Sequence, residues 1–222
     1  MMAKNIFLTA TGTEIGKTYV SGLMLKTMRK AGFGVGYFKT GLSGTDASGE
    51  TDLAYAIRVG NPVAADCPYI YKNAVSPHLA GKLENNPAKV DVVVSAHKAV
   101  ADKSDMVIIE GSGGALCPIT YEGERLVMLT DIVSKLFGSD KPRAIVLASC
   151  KLGTINATVL TVDYLVKQGF EIAGIIFNQY TGGIMEDDNI AVIPKLTGLK
   201  VIDIIKDGGE LNISADALAK LF

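Results

Sequence analysis

Two stretches of this chain carry residue types able to do chemistry. The first reads T-A-T-G-T-E-I-G-K-T, from Thr9 to Thr18. Its end, Gly16-Lys17-Thr18, lies where an apolar run gives way to an amphipathic one. The N–H groups at a helix start point towards an anion, and the helix's positive end favours it. In such a loop Lys17 reaches the β- and γ-phosphates of a nucleotide, and the Thr18 hydroxyl holds Mg²⁺. The spacing G-x-x-x-x-G-K-[ST] is not met in full, because Thr11 stands where the first glycine should be. The second stretch is Glu110, which closes the run Met106-Val107-Ile108-Ile109 and precedes Gly111-Ser112-Gly113-Gly114. An acid at the end of a buried strand is costly unless it meets a cation. A phosphate loop also needs a second, metal-directed carboxylate at another strand end. Asp52 is a further acid, which could equally cap the helix beginning near Leu53.

These groups need a scaffold that brings strand ends together. Short apolar runs alternate with longer amphipathic ones. Strands are expected at Asn5–Thr9, Val35–Lys39, Asp105–Glu110, Ala144–Ser149, Glu171–Asn178 and Lys200–Ile204. Helices are expected at Lys17–Ala31, Asp52–Val59, Val90–Lys103, Leu129–Phe137, Asn156–Gln168, Asp187–Leu196 and Ser214–Leu221. Near-continuous apolar strands suit a parallel sheet covered on both faces. The expected fold is therefore a single α/β domain, a mostly parallel sheet sandwiched by helices with right-handed crossovers. Gly32 and Gly169 follow helix ends, where a left-handed cap is expected. Ligands of such a sheet sit beyond the carboxyl ends of its strands. Those positions hold Thr9–Thr18, Lys39–Gly44, Glu110–Gly114, Ser149–Asn156 and Asn178.

Three further strings are Ser76-Pro77-His78, E-G-S-G-G-A-L-C-P-I (Glu110 to Ile119) and K-L-G-T-I-N-A-T (Lys151 to Thr158). Together with T-G-T-E-I-G-K-T and Asn178, in that order along the chain, they resemble dethiobiotin synthetase, a P-loop NTPase relative that works as a cyclo-ligase in biotin synthesis. The resemblance implies ATP- and Mg²⁺-dependent carboxylation of 7,8-diaminopelargonate by CO₂. A carbamate forms, takes the γ-phosphoryl of ATP to become a mixed anhydride, and is trapped by the second amine. It further implies catalytic roles for Lys39, Lys17 and Thr13, and a nucleotide cradle of Thr13, Glu14, Ile15, Gly16, Lys17, Thr18 and Tyr19. Asn178 matches the adenine-reading residue. Thr18, Asp52 and Glu110 match the Mg²⁺ set, and Ser43 the substrate-contacting serine. Gly153, Thr154 and Asn156 match a loop that reaches across a homodimer interface to hold the substrate's carboxylate. A Lys39 ammonium beside the reacting amine would lower that amine's pKa and keep it neutral for attack.

The sequence also departs from the family pattern. Ala10 occupies the first glycine of the family's longer loop, which requires a negative φ there. Gly12 replaces an acidic residue, and Thr40-Gly41 replaces a Pro-Val pair. The segment between Lys39 and Asp52 is shorter than usual. The family's E-I-P nucleobase string is not seen in Ile202–Glu210. A switch ATPase of the partitioning or septum-site type carries an additional early lysine, and none occurs between Lys4 and Lys17. A cobyrinate-type amidotransferase needs a fused glutaminase, for which 222 residues leave no room. An inactive nucleotide-binding relative is the remaining alternative.

Composition bounds the rest. Lys plus Arg is 22 and Asp plus Glu 23, a net charge of −1, which gives no electrostatic footprint for nucleic acid or an anionic membrane. No apolar run approaches the ~20 residues that cross a bilayer. Cys67, Cys117 and Cys150 are widely spaced and are expected as buried thiols of a cytoplasmic protein. His97 is expected at the surface or partly buried, and Tyr69 and Tyr71 as packing residues.

Overall fold

The computed structural model describes residues 3–44 and 49–222. Among the described residues the elements run in the order β1 (Lys4–Ala10), α1 (Lys17–Lys30), β2 (Val35–Lys39), β3 (Leu42–Ser43), α2 (Asp52–Gly60), β4 (Ala65–Asp66), β5 (Ile70–Tyr71), α3 (Pro77–Leu83), α4 (Val90–Ala101), β6 (Met106–Glu110), β7 (Pro118–Glu122), β8 (Arg125–Met128), α5 (Leu129–Leu136), β9 (Arg143–Ser149), α6 (Thr154–Lys167), β10 (Glu171–Tyr180), α7 (Ile184–Thr197), β11 (Val201–Lys206) and α8 (Ala215–Ala219). Seven strands form one parallel sheet in the order β11-β10-β9-β1-β6-β2-β4.

Alternation along the central strands divides the core in two. Ile6, Leu8, Tyr37, Ile108, Ile145 and Leu147 face α1 and α8, while Phe7, Phe38, Val107, Ile109, Val146 and Phe177 face α4, α5 and α6. Every residue of β2 and β6 is buried, as strands covered on both faces require. The six expected strands and seven expected helices all appear, with ends displaced by a few residues. The helix expected from Asn156 begins at Thr154, and the one expected over Asp187–Leu196 runs from Ile184 to Thr197. Gly32 and Gly169 take φ of 89° and 86°, as helix-ending glycines do.

The structure adds pieces that the sequence pattern did not mark. β3 and β5 pair as a two-residue parallel ladder, β7 and β8 form a hairpin, and Pro77 opens the short helix α3. These pieces wall the carboxyl rim of the sheet. His97 corrects an expectation, being only 5% exposed. It sits edge-on to Phe38 and pairs with Asn5, near the start of β1 and far from the rim. Tyr69 and Tyr71 stack in the core, and the three cysteines are buried thiols. Among the described residues no helix is long and apolar enough to cross a membrane.

Candidate active site

Sheet register builds the centre of the site. Glu110 ends β6 opposite Leu8 of β1 on one side and Lys39 of β2 on the other. The side chains of Tyr37, Lys39 and Glu110 lie on the α1 face, since residues two apart on a strand share a face. Helix α1 lays Thr18 and Ser21, one turn apart, against the same carboxylate. Glu110 is 0% exposed and accepts four hydrogen bonds. Thr18 Oγ1 donates to Oε1 at 2.8 Å and Lys39 Nζ at 2.7 Å. Ser21 Oγ donates to Oε2 at 2.7 Å and Tyr37 Oη at 2.9 Å. Lys39 also pairs with Asp52, the first residue of α2, so that one ammonium bridges two carboxylates. Burial lowers the Lys39 pKa, but the charges of Glu110 and Asp52 outweigh it, and the ammonium is held above its ordinary range. Burial and the Glu110 charge push the Tyr37 phenol well up, so it stays a donor.

The phosphate loop lies beside this cluster. Gly16 caps α1 with φ 88°, and among the described residues no side chain caps that helix start, leaving its first N–H groups free for an anion. Ala10 ends β1 and is not among the residues with positive φ, which meets the condition for alanine there. The non-glycine residue of the loop that is left-handed is instead Glu14, at φ 60°. Lys17 folds back so that Nζ donates to Gly12 O at 3.1 Å. Burial pushes its ammonium down to about 8; Glu110 opposes the fall and Lys39 adds to it. Asn178, at the end of β10, donates from Nδ2 to Ile15 O at 2.8 Å. Tyr19 donates from its hydroxyl to Gly209 O at 2.6 Å, tying α1 to the loop after β11.

Two adjoining hollows open on the rim. One, of about 380 Å³, is lined by Thr13, Gly16, Lys17, Thr18, Lys39 and Asp52. The other, of about 520 Å³, shares Thr13, Lys39, Ser43 and Asp52 and extends to Ser76, Pro77, Ser112 and Cys117. The structure thus gathers Thr13, Glu14, Gly16, Lys17, Thr18, Lys39, Ser43 and Asp52 around one space, with Glu110 beneath it. Gly153, Thr154 and Asn156 line neither hollow. Gly153 and Asn156 are exposed, whereas Thr154 is buried and its hydroxyl donates to Ser149 O at 2.6 Å. Four contributors escaped the sequence reading. Ser21 and Tyr37 look like core residues in an apolar helix and strand, and only their one-turn and two-residue spacing from Thr18 and Lys39 marks them. Ser76 and Pro77 belong to a string that carries the resemblance without a role of its own. His78, next to them, bonds Ser76 and faces a separate hollow with Tyr121.

The donor set fits a hard divalent cation. It offers a hydroxyl and two carboxylates, and the Lys39 ammonium already sits between those carboxylates as a cation. Among the described residues no group of three His, Cys, Asp or Glu side chains could hold a metal ion. A divalent cation there would need phosphate oxygens and water to complete its shell, which is the usual arrangement for Mg²⁺.

Comparison with known proteins bears on the family and the fold. A family model described as an AAA domain matches residues 4–212. The ATP-dependent dethiobiotin synthetase BioD of Brachyspira hyodysenteriae is 40% identical over 211 residues, covering 93% of this chain and 94% of that protein. The synthetase of the same name from Clostridium botulinum (strain Alaska E43) is 39% identical over 230 residues, covering 100% of this chain and 99% of that protein. Among solved structures, chloroplast FtsY from Physcomitrella patens aligns over 100% of this chain and 66% of its own, with a TM-score of 0.59 and 16% identity. The cell division ATPase MinD of Pyrococcus furiosus aligns over 99% of this chain and 97% of its own, with a TM-score of 0.56 and 18% identity. At such identities these two structures speak for the fold alone.

Proposed function

This chain belongs to the ATP-dependent dethiobiotin synthetase family, and from that premise we propose how its sheet rim performs the family's reaction. The enzyme is a cyclo-ligase. It joins 7,8-diaminopelargonate to CO₂ at the expense of ATP and yields dethiobiotin, ADP and phosphate. One amine adds to CO₂ and loses a proton, giving a carbamate. A carbamate oxygen then attacks the γ-phosphoryl, and ADP leaves. The second amine attacks the carbamoyl carbon, phosphate departs, and the ring closes with loss of a proton.

Each step sets a demand that these residues meet. Phosphoryl transfer gathers negative charge from the triphosphate and the carbamate, so catalysis rests on positioning and charge neutralisation. Lys17 and Lys39 supply two cations to the same hollow. Thr13 and the N–H groups of Glu14, Ile15, Gly16 and Lys17 cradle the phosphates, with Thr18 and Tyr19 opening the helix behind them. Asn178 faces the base with its amide oxygen, its Nδ2 being held by Ile15. Thr18, Asp52 and Glu110 would hold Mg²⁺, which supplies charge neutralisation at the phosphates when bound. Ser43 and the larger hollow receive the diamine. Lys39 also depresses the pKa of the diamine's nearer amine, keeping it neutral for attack. Gly153, which caps α6, and Asn156, in the first turn of α6 that Thr154 ties to Ser149, hold the carboxylate tail in a second copy of the chain. The α6 start resembles that of α1: a left-handed glycine, with no capping side chain among the described residues.

The observation that carries this reading is the convergence of Lys17 and Lys39 on one hollow above a buried, fully bonded Glu110. The test is incubation with diaminopelargonate, bicarbonate and Mg-ATP, followed by mass spectrometry. Dethiobiotin and ADP are expected in equal amounts. Lys39→Gln should lower kcat by about 100-fold or more, the loss typical of one electrostatic donor. Its acidic pH–rate limb should move to higher pH, and an unmoved limb would remove the proposed effect on the amine. ATP hydrolysis that ignores diaminopelargonate would favour a switch ATPase instead.

A further inference from the structure

We propose that Ser21 and Tyr37 are positioning residues that pin one oxygen of Glu110, so that this carboxylate meets a divalent cation through its other oxygen alone and selects Mg²⁺ over Ca²⁺. The division of labour is visible in the hydrogen bonds. Oε2 takes the Ser21 and Tyr37 hydroxyls at 2.7 and 2.9 Å, and those two bonds fill its acceptor sites. Oε1 carries two bonds as well, from Thr18 and Lys39, but both of these donors line the phosphate hollow and can turn towards a bound phosphate, which opens Oε1 and not Oε2 to a cation. Ser21 and Tyr37 are fully buried and line neither hollow of the rim. They can touch neither nucleotide nor diamine, and can act only through Glu110.

The consequence follows from cation chemistry. Mg²⁺ demands six near-octahedral oxygens and takes a carboxylate through one of them. Ca²⁺ accepts six to eight and commonly takes both oxygens of one carboxylate. With Oε2 held from behind by a helix and a strand, Glu110 cannot rotate to offer both oxygens. Partners that orient a ligand in this way typically change metal affinity about 10- to 100-fold when removed.

The inference rests on the reading that Glu110 belongs to the metal-binding set, so the experiment separates the two. ATP binding is measured by calorimetry without diaminopelargonate, in Mg²⁺ and in Ca²⁺, for wild type, Glu110→Gln, Ser21→Ala, Tyr37→Phe and the Ser21→Ala/Tyr37→Phe double variant. Thermal melting accompanies each, and the single variants decide the matter if the double does not fold. In the pin variants Mg²⁺-supported affinity should fall about 10-fold and Ca²⁺-supported affinity much less, narrowing the Mg²⁺/Ca²⁺ ratio. If Glu110→Gln loses its cation dependence while the pin variants keep the wild-type ratio, this inference alone is overturned. If Glu110→Gln binds ATP with the wild-type Mg²⁺ dependence, the metal-binding reading of Glu110 fails and takes the inference with it.

Discussion

Lys17 shows how one residue can be costly to the fold and necessary to the site. The residue is only 8% exposed, and in the ligand-free state its ammonium has a pKa of about 8 against an ordinary value of 10.5. Between those values the unfolded chain binds more protons than the folded one. Stability therefore rises with pH from about 8 towards 10.5, and near pH 7 the buried ammonium is a net cost to folding. A triphosphate reverses the balance by placing negative charge beside Nζ, which raises the pKa. Nucleotide binding at pH 8 should accordingly take up about half a proton per site, little at pH 6 and close to one above pH 9. Calorimetry in buffers of different ionisation enthalpy reads this directly. Lys17→Gln should abolish the uptake, and a wild-type protein that binds nucleotide at pH 8 with no proton uptake would contradict this account of the loop. The lysine itself was legible in the sequence because Gly-Lys-Thr at a strand-to-helix junction has few other uses. Ser21 and Tyr37 were not, because a serine in an apolar helix and a tyrosine in an apolar strand carry no sign of what they touch.

At the scale of elements, the turn into α1 depends on two left-handed residues with opposite tolerances. Gly16 has φ 88°, and a Cβ added there would come within 2.4 Å of Asn178 Nδ2. Gly16→Ala must therefore bear the left-handed strain, roughly 1–2 kcal/mol, and also drive Asn178 off Ile15. Its Tm should fall by about 2 to 8 °C, with nucleotide affinity falling further than stability, because the displaced loop is the phosphate cradle itself. Glu14 has φ 60° with an ordinary side chain, so Glu14→Gly relieves strain and should leave Tm unchanged or higher. Melting curves and nucleotide titrations of the two variants check both signs, and a Glu14→Gly less stable than Gly16→Ala would refute the argument. The sequence marked where α1 begins but not which residue would be strained. The expected trouble spot was Ala10, which lies in regular strand; the strain sits four residues on, where no glycine stands. The walls of the rim were less legible still. β3 and β5, like the edge strand β4 of the main sheet, are two residues each, too short to carry any periodicity.

For the whole molecule, the alternation of apolar and amphipathic runs dictates a covered parallel sheet, but it leaves strand order open. Order decides that β6 lies between β1 and β2, and hence that Glu110 meets both the phosphate loop and Lys39. The resemblance in motifs carried that information where periodicity could not. A single copy of the chain nevertheless leaves the proposed carboxylate-binding residues outside both of its own hollows. Leu152 is 88% exposed at the tip of that loop, and Leu160 is 59% exposed on α6. Leu152, Asn156 and Leu160 are four residues apart and all exposed, so Asn156 and Leu160 share one stripe of α6 and Leu152 leads into it. Apolar side chains flanking a polar, ligand-directed one on an outward stripe suit burial against a second copy, with Asn156 delivered to that copy's hollow. Leu152→Asp places a charge at this contact. Sedimentation should show half the wild-type mass at micromolar concentration. The KM for diaminopelargonate should rise by about 10-fold, equivalent to about 1.4 kcal/mol of lost tail binding. Nucleotide affinity should stay at the wild-type level, because Lys17, Thr18 and Asn178 all come from one chain. A Leu152→Asp protein that keeps both its mass and its KM would mean that the tail carboxylate is held by the chain's own rim, and that Gly153 and Asn156 have no part in substrate binding.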